Sequence, residues 1–302
     1  MKVATVVVTY NRKGELVKNM AAIFSQTYLA DRCYIVDNHG SDNTEAFLRE
    51  QGYLDHSRVK YVYLDQNIGG AGGFYMGLKM AYDDGFDFIC LMDDDGRPAD
   101  NDMMRNLIEM AEKVYLSKKE FLLNSLVCGP DHILSFGLKG GIRTKEIASQ
   151  RQRDNLIVGT VNPFNGTLVS KELVDAIGFP NKDFFIKGDE QDYYQRALKS
   201  GAFVATVYHS NYYHPILERK TIRIFGKEIK ATTEAPWKEY YRARNFTYMF
   251  KRDGEPLKYI RQNVKQIIFS LKYNPQKGKT VKMILRGWYD GMNDKMGPRV
   301  KP

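Results

Sequence analysis

Several groups of side chains in this sequence have the types and spacing of a reacting site. Asp93-Asp94-Asp95 follows the apolar run FICLM directly. Adjacent carboxylates repel one another, and a bound cation offsets that cost. With D-x-D spacing at a strand end, Asp93 and Asp95 reach one Mg²⁺ or Mn²⁺ while a diphosphate supplies further oxygens. In isolation a solvated acidic turn reads the same way. Asp189-Glu190-Gln191-Asp192 opens a predicted helix after Gly188. One acid there is an N-terminal cap, but three in four residues exceed a cap's needs. His209 and His214 follow the last predicted strand, each either a ligand or a structural ring among aromatics. Finally, Asn67 precedes four glycines between positions 69 and 73. Such a string permits close backbone approach to a diphosphate or a sugar ring through residues such as Gly70 and Gly72, or serves as a flexible turn. It is no dinucleotide fingerprint, because Tyr75 stands where the last glycine would fall, and it lacks a P-loop ending.

These groups need elements to position them. Residues 3–9, 32–37, 59–64 and 86–92 read as buried strands, and residues 13–25, 44–50 and 75–84 as helices. That alternation predicts an α/β fold with a mostly parallel sheet flanked by helices. Ligands of such sheets bind beyond the carboxyl ends of the strands. Thr9-Tyr10-Asn11, Asp37-Asn38 and the three acids all fall there. Further on, 101–120 and 189–200 read as helices and 202–208 as a strand. Residues 137–153 read as a basic, glycine-containing loop expected to be mobile.

The 302 residues include 45 Lys and Arg against 36 Asp and Glu, a net charge of +9. All of that excess lies after residue 250, where thirteen basic residues face four acids. There, from Pro256 onward, two basic amphipathic helices are expected. Leu257, Ile260, Val264, Ile267, Ile268 and Leu271 share one face of the first, with Lys258, Arg261, Lys265 and Lys272 off it. Segregated faces suit an anionic membrane surface better than nucleic acid, whose binders interleave bases with exposed aromatics. Packing on the body or a second subunit is the rival reading. No eighteen-residue apolar run, no signal peptide and three scattered cysteines lead us to expect a cytosolic chain, peripheral on the inner face of the membrane.

Five segments, in order and spacing, resemble the family 2 glycosyltransferases of GT-A fold: VVVTYNR (6–12), IVDNHGSDNT (35–44), NIGGAGGFYMG (67–77), LMDDDG (91–96) and KGDEQDYYQRA (187–197). The resemblance implies a GT-A catalytic domain over residues 1–250, with 251–302 as a basic helical tail. It implies that Thr9, Tyr10, Asn11 and Asp37 hold the nucleotide, and that Asp93 and Asp95 hold Mn²⁺ or Mg²⁺ with the donor diphosphate. Asp94 would face the donor sugar or ribose. Glu190 would be the base of an inverting transfer, with Asp189 its sugar-binding neighbour and rival. His214 would join the metal, with His209 in reserve. The string at 67–74 is similar to the galactofuranosyltransferase branch, which implies a UDP-galactofuranose donor read by Asn67, Gly70 and Gly72. Arg242 or Arg244 would meet donor phosphate, or else form a solvated basic face. Phe164-Asn165-Gly166 and Phe179-Pro180 either shape the acceptor pocket, since exposed aromatics stack on sugar faces, or are ordinary core aromatics. The implied acceptor is a lipid-linked glycan of bacterial surface-polysaccharide assembly, and the oligomeric state is left open. The competing readings are a rhamnosyltransferase using a dTDP-sugar and, from another class, a non-catalytic glycan- or nucleic-acid-binding module.

Overall fold

The computed structural model describes residues 1–216, 220–224, 227–232 and 234–301. In chain order its elements are β1 (Val3–Thr9), α1 (Lys13–Phe24), β2 (Arg32–Asp37), α2 (Thr44–Glu50), β3 (Val59–Tyr63), α3 (Gly69–Asp83), β4 (Phe88–Asp93), β5 (Arg97–Pro98) and α4 (Met103–Tyr115). There follow β6 (Phe121–Cys128), β7 (Ile133–Leu138), β8 (Ile142–Thr144), α5 (Lys145–Arg151), β9 (Leu156–Val158), β10 (Asn165–Ser170) and α6 (Lys171–Ile177). The chain ends with α7 (Asp189–Lys199), β11 (Phe203–Tyr213), β12 (Lys220–Ile224), β13 (Lys227–Ala231), α8 (Pro236–Arg252), α9 (Pro256–Tyr273) and α10 (Lys277–Met292).

The chain divides into two compact units, the first being residues 1–180 with 193–216 and the second 181–192 with 217–302. In the first, the main sheet runs β3-β2-β1-β4-β10-β6-β11-β5. Strands β3, β2, β1 and β4 are parallel neighbours, while β10 runs antiparallel to both β4 and β6. β1 is buried along its whole length, as a continuous run of β-branched and small residues should be in a sheet covered on both faces. One face packs α1 and α4 through Leu16, Met20, Leu107 and Ile108; the other packs α3, α6 and α7 through Phe74, Leu78, Leu173 and Tyr193. The order reverses at β1, because the chain passes to β2 and β3 on one side and returns to β4 on the other. The crevice at such a switch point is the usual ligand site.

The segment expected to be a mobile loop, 137–153, instead completes β7, pairs it with β8 and forms α5, whose first turn Thr144 caps through the Ile147 N–H. α3 also starts six residues before the expected helix. The glycines there let it sit close on β1: a Cβ on Gly73 would fall 2.5 Å from Val8 Cγ1, and one on Gly77 2.3 Å from Val6 Cγ1.

The second unit contains α8, α9 and α10. α8 and α10 approach backbone to backbone, since a Cβ on Gly287 would lie 2.2 Å from the Tyr240 carbonyl oxygen. No helix among the described residues is long and apolar enough to cross a membrane.

Candidate active site

The parallel registers bring three polar strand ends together. Val8 on β1 lies beside Asp93 on β4, and Thr9 lies beside Asp37 on β2. From these ends the side chains reach across to one another. Thr9 Oγ1 donates to Asp94 Oδ2 at 2.9 Å and the Tyr10 N–H donates to the same oxygen at 3.3 Å. Arg12 Nη1 sits 3.3 Å from Asp94 Oδ1 and 2.5 Å from Asp95 Oδ2, so a guanidinium already offsets part of the acidic charge. The sequence holds this residue in VVVTYNR, but nothing in the motif says that it turns toward the acids.

Asp37 is buried: Oδ1 accepts the Gly40 N–H at 2.7 Å and Oδ2 the Tyr61 hydroxyl at 2.6 Å. It borders a cleft of about 690 Å³ that also meets Tyr61, Tyr63, Asn43 and Glu45. Asn11, in the left-handed region at φ 54°, accepts the Ser41 N–H and closes that turn. Asn67 joins β2 to α3: its Oδ1 accepts the Gly69 N–H at 2.8 Å and the Asn38 amide at 3.1 Å. Gly72 does not face a ligand, because its Cβ position is filled by Ile68 at 2.6 Å. Gly70 has open space there. Gly73 and Gly77 use their close approach to seat α3 on Val8 and Val6 of β1.

Asp93, Asp94 and Asp95 each offer one carboxylate oxygen within a 4.8 Å cluster. Burial, then the charges of Asp94 and Asp95, push Asp93 up to about 8. Burial also pushes Asp94 up to about 6 against the pull of Arg12 and Thr9. For Asp95 burial acts upward too, but His214 and Arg12 outweigh it and hold this carboxyl low.

His214 reaches this cluster because β11 pairs antiparallel with β5, Tyr213 against Arg97, and His214 is the next residue. Its Nε2 stands 3.3 Å from Asp95 Oδ1, and its Nδ1 is 2.7 Å from the Pro215 carbonyl. Donation from Nδ1–H to that carbonyl leaves Nε2 as the ligating nitrogen. His209 lies in the bulge between Val207 and Asn211, is exposed, and rests its ring on Tyr208. A bulge that adds residues to one strand redirects side chains, which no spacing rule reveals.

The donor set fits a divalent cation. It combines carboxylates and one imidazole, a mixture that accepts Mn²⁺ or Mg²⁺. His214 Nε2 lies 3.3 Å from the buried Asp95 Oδ1, which has no closer donor among the described residues. Two ligands at about 2.1 Å from one octahedral ion stand about 3 Å apart, close to this spacing. On the outer side of Asp95 a second cleft of about 610 Å³ meets Arg12, Lys18, Arg97 and Tyr213.

In the second unit, the acidic turn follows a backbone with three residues at positive φ: Phe185 (64°), Lys187 (69°) and Gly188 (93°). The Asn245 amide holds this segment, donating to the carbonyls of Phe184, Ile186 and Lys187 at 3.0, 2.9 and 2.7 Å. Glu190, partly exposed, accepts the Gly188 N–H at 3.1 Å, and Asp189 is buried. Asp192, also buried, pairs with Arg252 at 2.5 Å. The third acid thus has a structural partner of its own.

The two arginines expected at donor phosphate have partners within the protein. Arg244 is fully buried, its guanidinium donating to the carbonyls of Asp183 and Phe184 at 2.9 and 3.0 Å and also to that of Gly297, under the ring of Tyr241. Its Nε also donates to Asn245 Oδ1 at 2.8 Å, so four of its five N–H groups are engaged within the protein. Arg242 pairs with Glu234 at 2.7 Å and Glu239 at 3.2 Å. Neither forms a solvated basic face. Phe164 is also a core residue, stacked on Phe74 with ring centres 4.4 Å apart, rather than part of an acceptor pocket. Asn245 is the positioning residue that sequence reasoning missed, although it stood beside the arginine singled out.

Residues 5–116 match the model of glycosyl transferase family 2. The chain is 32% identical over 259 residues to galactofuranosyltransferase GlfT1 of Mycobacterium tuberculosis H37Rv, covering 83% of each. Among solved structures, S. aureus TarS 1–349 with UDP-GlcNAc superposes with a TM-score of 0.60 at 14% identity, covering 97% of this chain and 80% of that one. The mannosyltransferase PcManGT of Pyrobaculum calidifontis, solved with GDP-Man and Mn²⁺, gives 0.54 at 13% identity and covers 97% and 88%. These two share the GT-A fold. With the carboxylate cluster at the switch point of its sheet and the family's motifs in order, the chain belongs to the family 2 glycosyltransferases, as a galactofuranosyltransferase-like member.

Proposed function

We propose that this glycosyltransferase moves galactofuranose from UDP-galactofuranose to a lipid-linked glycan at the inner face of a bacterial membrane, with inversion and with a divalent cation. The similarity to GlfT1, over 83% of both chains, supports the donor. With Gly72 and Gly73 occupied by packing, the glycine string adds little of its own to that choice. The observation that carries the chemistry is the cluster of Asp93, Asp95 and His214 beside Thr9 and Asp37.

In this reading Asp93, Asp95 and His214 hold Mn²⁺ or Mg²⁺. When bound, the ion supplies positive charge to the diphosphate leaving group. Asp94, tied to Thr9, Tyr10 and Arg12, keeps the acidic turn in place. Asp37 shapes the wall of the cleft that takes the uridine, beside Tyr61 and Tyr63. Glu190 takes the proton of the acceptor hydroxyl as that oxygen attacks the anomeric carbon. The bond to the diphosphate breaks and UDP leaves with the electron pair. Buried Asp189 orients the sugar from the same turn.

Glu190→Gln tests the base. Transfer should fall by about 10²–10⁴-fold while UDP affinity stays within about threefold. Full turnover by Glu190→Gln with loss in Asp189→Asn would move the base to Asp189.

A further inference from the structure

α9 is mounted with its faces reversed. The residues it buries are Tyr259, Asn263, Gln266, Phe269 and Ser270. The amides among them bond to α8: Asn263 Nδ2 donates to Thr247 Oγ1 at 2.9 Å and Gln266 Nε2 to Glu239 Oε1 at 3.0 Å. Its aliphatic residues face outward. Leu257 is 79% exposed, Ile260 40%, Val264 43%, Ile268 38% and Leu271 51%. The stripe is therefore not the face that meets α8. A buried amide and a contiguous exposed aliphatic row are the informative departures from ordinary burial.

At about 100° per residue the five aliphatic side chains fall within one narrow arc of the helix, about 21 Å long at 1.5 Å per residue. Arg261, Lys272, Lys265 and Lys258 run along one edge of that arc, in a segment, 251–302, with thirteen basic residues and four acids. An apolar row edged by cations matches an anionic lipid surface, into which the row sinks while the basic side chains meet headgroups. The helix is not apolar enough to cross the bilayer, so it lies in the interface.

We propose that the outward face of α9 is the membrane-docking surface of this enzyme, seated on anionic phospholipid. The inference rests on the lipid-linked acceptor proposed above, and it adds the face that brings the enzyme to that acceptor.

The test is sedimentation of the full chain with vesicles of phosphatidylcholine and phosphatidylglycerol at 3:1. Wild type should co-sediment, about tenfold less on pure phosphatidylcholine or in high salt. The triple variant Ile260→Asn, Val264→Asn, Ile268→Asn should lose at least about tenfold in binding, with unchanged melting and unchanged UDP release to a water-soluble acceptor. Arg261→Gln with Lys272→Gln should weaken binding and flatten its salt dependence. Equal vesicle binding by wild type and the triple variant overturns the proposal. So does a wild type that ignores vesicles but is a dimer that the triple variant makes monomeric, because a second copy then covers the stripe. A wrong donor assignment would leave every vesicle result unchanged.

Discussion

Gly77→Ala is expected to destabilise the protein without altering its nucleotide site. The new Cβ would stand 2.3 Å from Val6 Cγ1 and 3.2 Å from Val36 Cγ2. Carbon atoms prefer about 3.5–4.0 Å. α3 must therefore lift from β1 by about 1 Å, or Val6, fully buried, must leave its rotamer. Such overpacking costs about 1–3 kcal/mol, and alanine's better helix propensity returns about 1 kcal/mol. The net loss is up to about 2 kcal/mol, read as a fall in calorimetric Tm of up to about 3 °C. Gly70→Ala is the control: its Cβ meets nothing within 4 Å, so its stability should hold or rise. Val6→Ala opens space under the same contact, so the double variant should be more stable than the summed single effects by about 1 kcal/mol. Additive effects would refute the packing account of the glycine string. So would a Gly77→Ala protein that is as stable as wild type but fails to bind UDP.

Metal binding should release protons. Asp93 is held up to about 8 and Asp94 to about 6 by burial and, for Asp93, by neighbouring charge, and Asp93 must ionise to ligate. Mn²⁺ affinity should therefore rise about tenfold per pH unit between about 6 and 8, with about one proton released at pH 7, measured by titration calorimetry in two buffers. In the metal-free protein these raised carboxyls make the folded state bind more protons than the unfolded one, so stability falls as pH rises from about 4 to 8. His214, raised above its usual 6.5 by Asp95 despite burial, adds the same sign, its contribution being lost as pH climbs through its folded value. Saturating Mn²⁺ should remove most of that fall; an unchanged melting curve would contradict the ligand set. Asn245→Ala strips the Ile186 and Lys187 carbonyls of their side-chain donor, leaving that of Phe184 to Arg244, and should lower kcat by about tenfold or more while KM for donor and Mn²⁺ affinity stay put. Equal losses in all three would make it a stability residue only.

Much of the first unit was legible because its strands are continuous apolar β-branched runs and their polar ends are short and distinct. β1, β2 and β4 come out within two residues at either end, and their ends define the site. The start of α3 was not legible, because four glycines oppose helix by propensity and only the close contact with Val6 and Val8 makes them useful. The choice of His214 over His209 depends on a bulge in β11, and the fate of Arg244 on three carbonyls contributed from residues about 50–60 positions away. For α9 the periodicity correctly predicts two faces. It carries no information on which face meets α8, because that is decided by Thr247 and Glu239 on the partner helix.

The most direct test of the central claim is UDP or dTDP release with Mn²⁺ from UDP-galactofuranose, UDP-galactopyranose and dTDP-rhamnose in the presence of a lipid-glycan extract. The account predicts turnover with UDP-galactofuranose, abolished in Asp95→Asn, and little with the other two. Selective turnover of dTDP-rhamnose or of the pyranose, with the furanose inert, would contradict it.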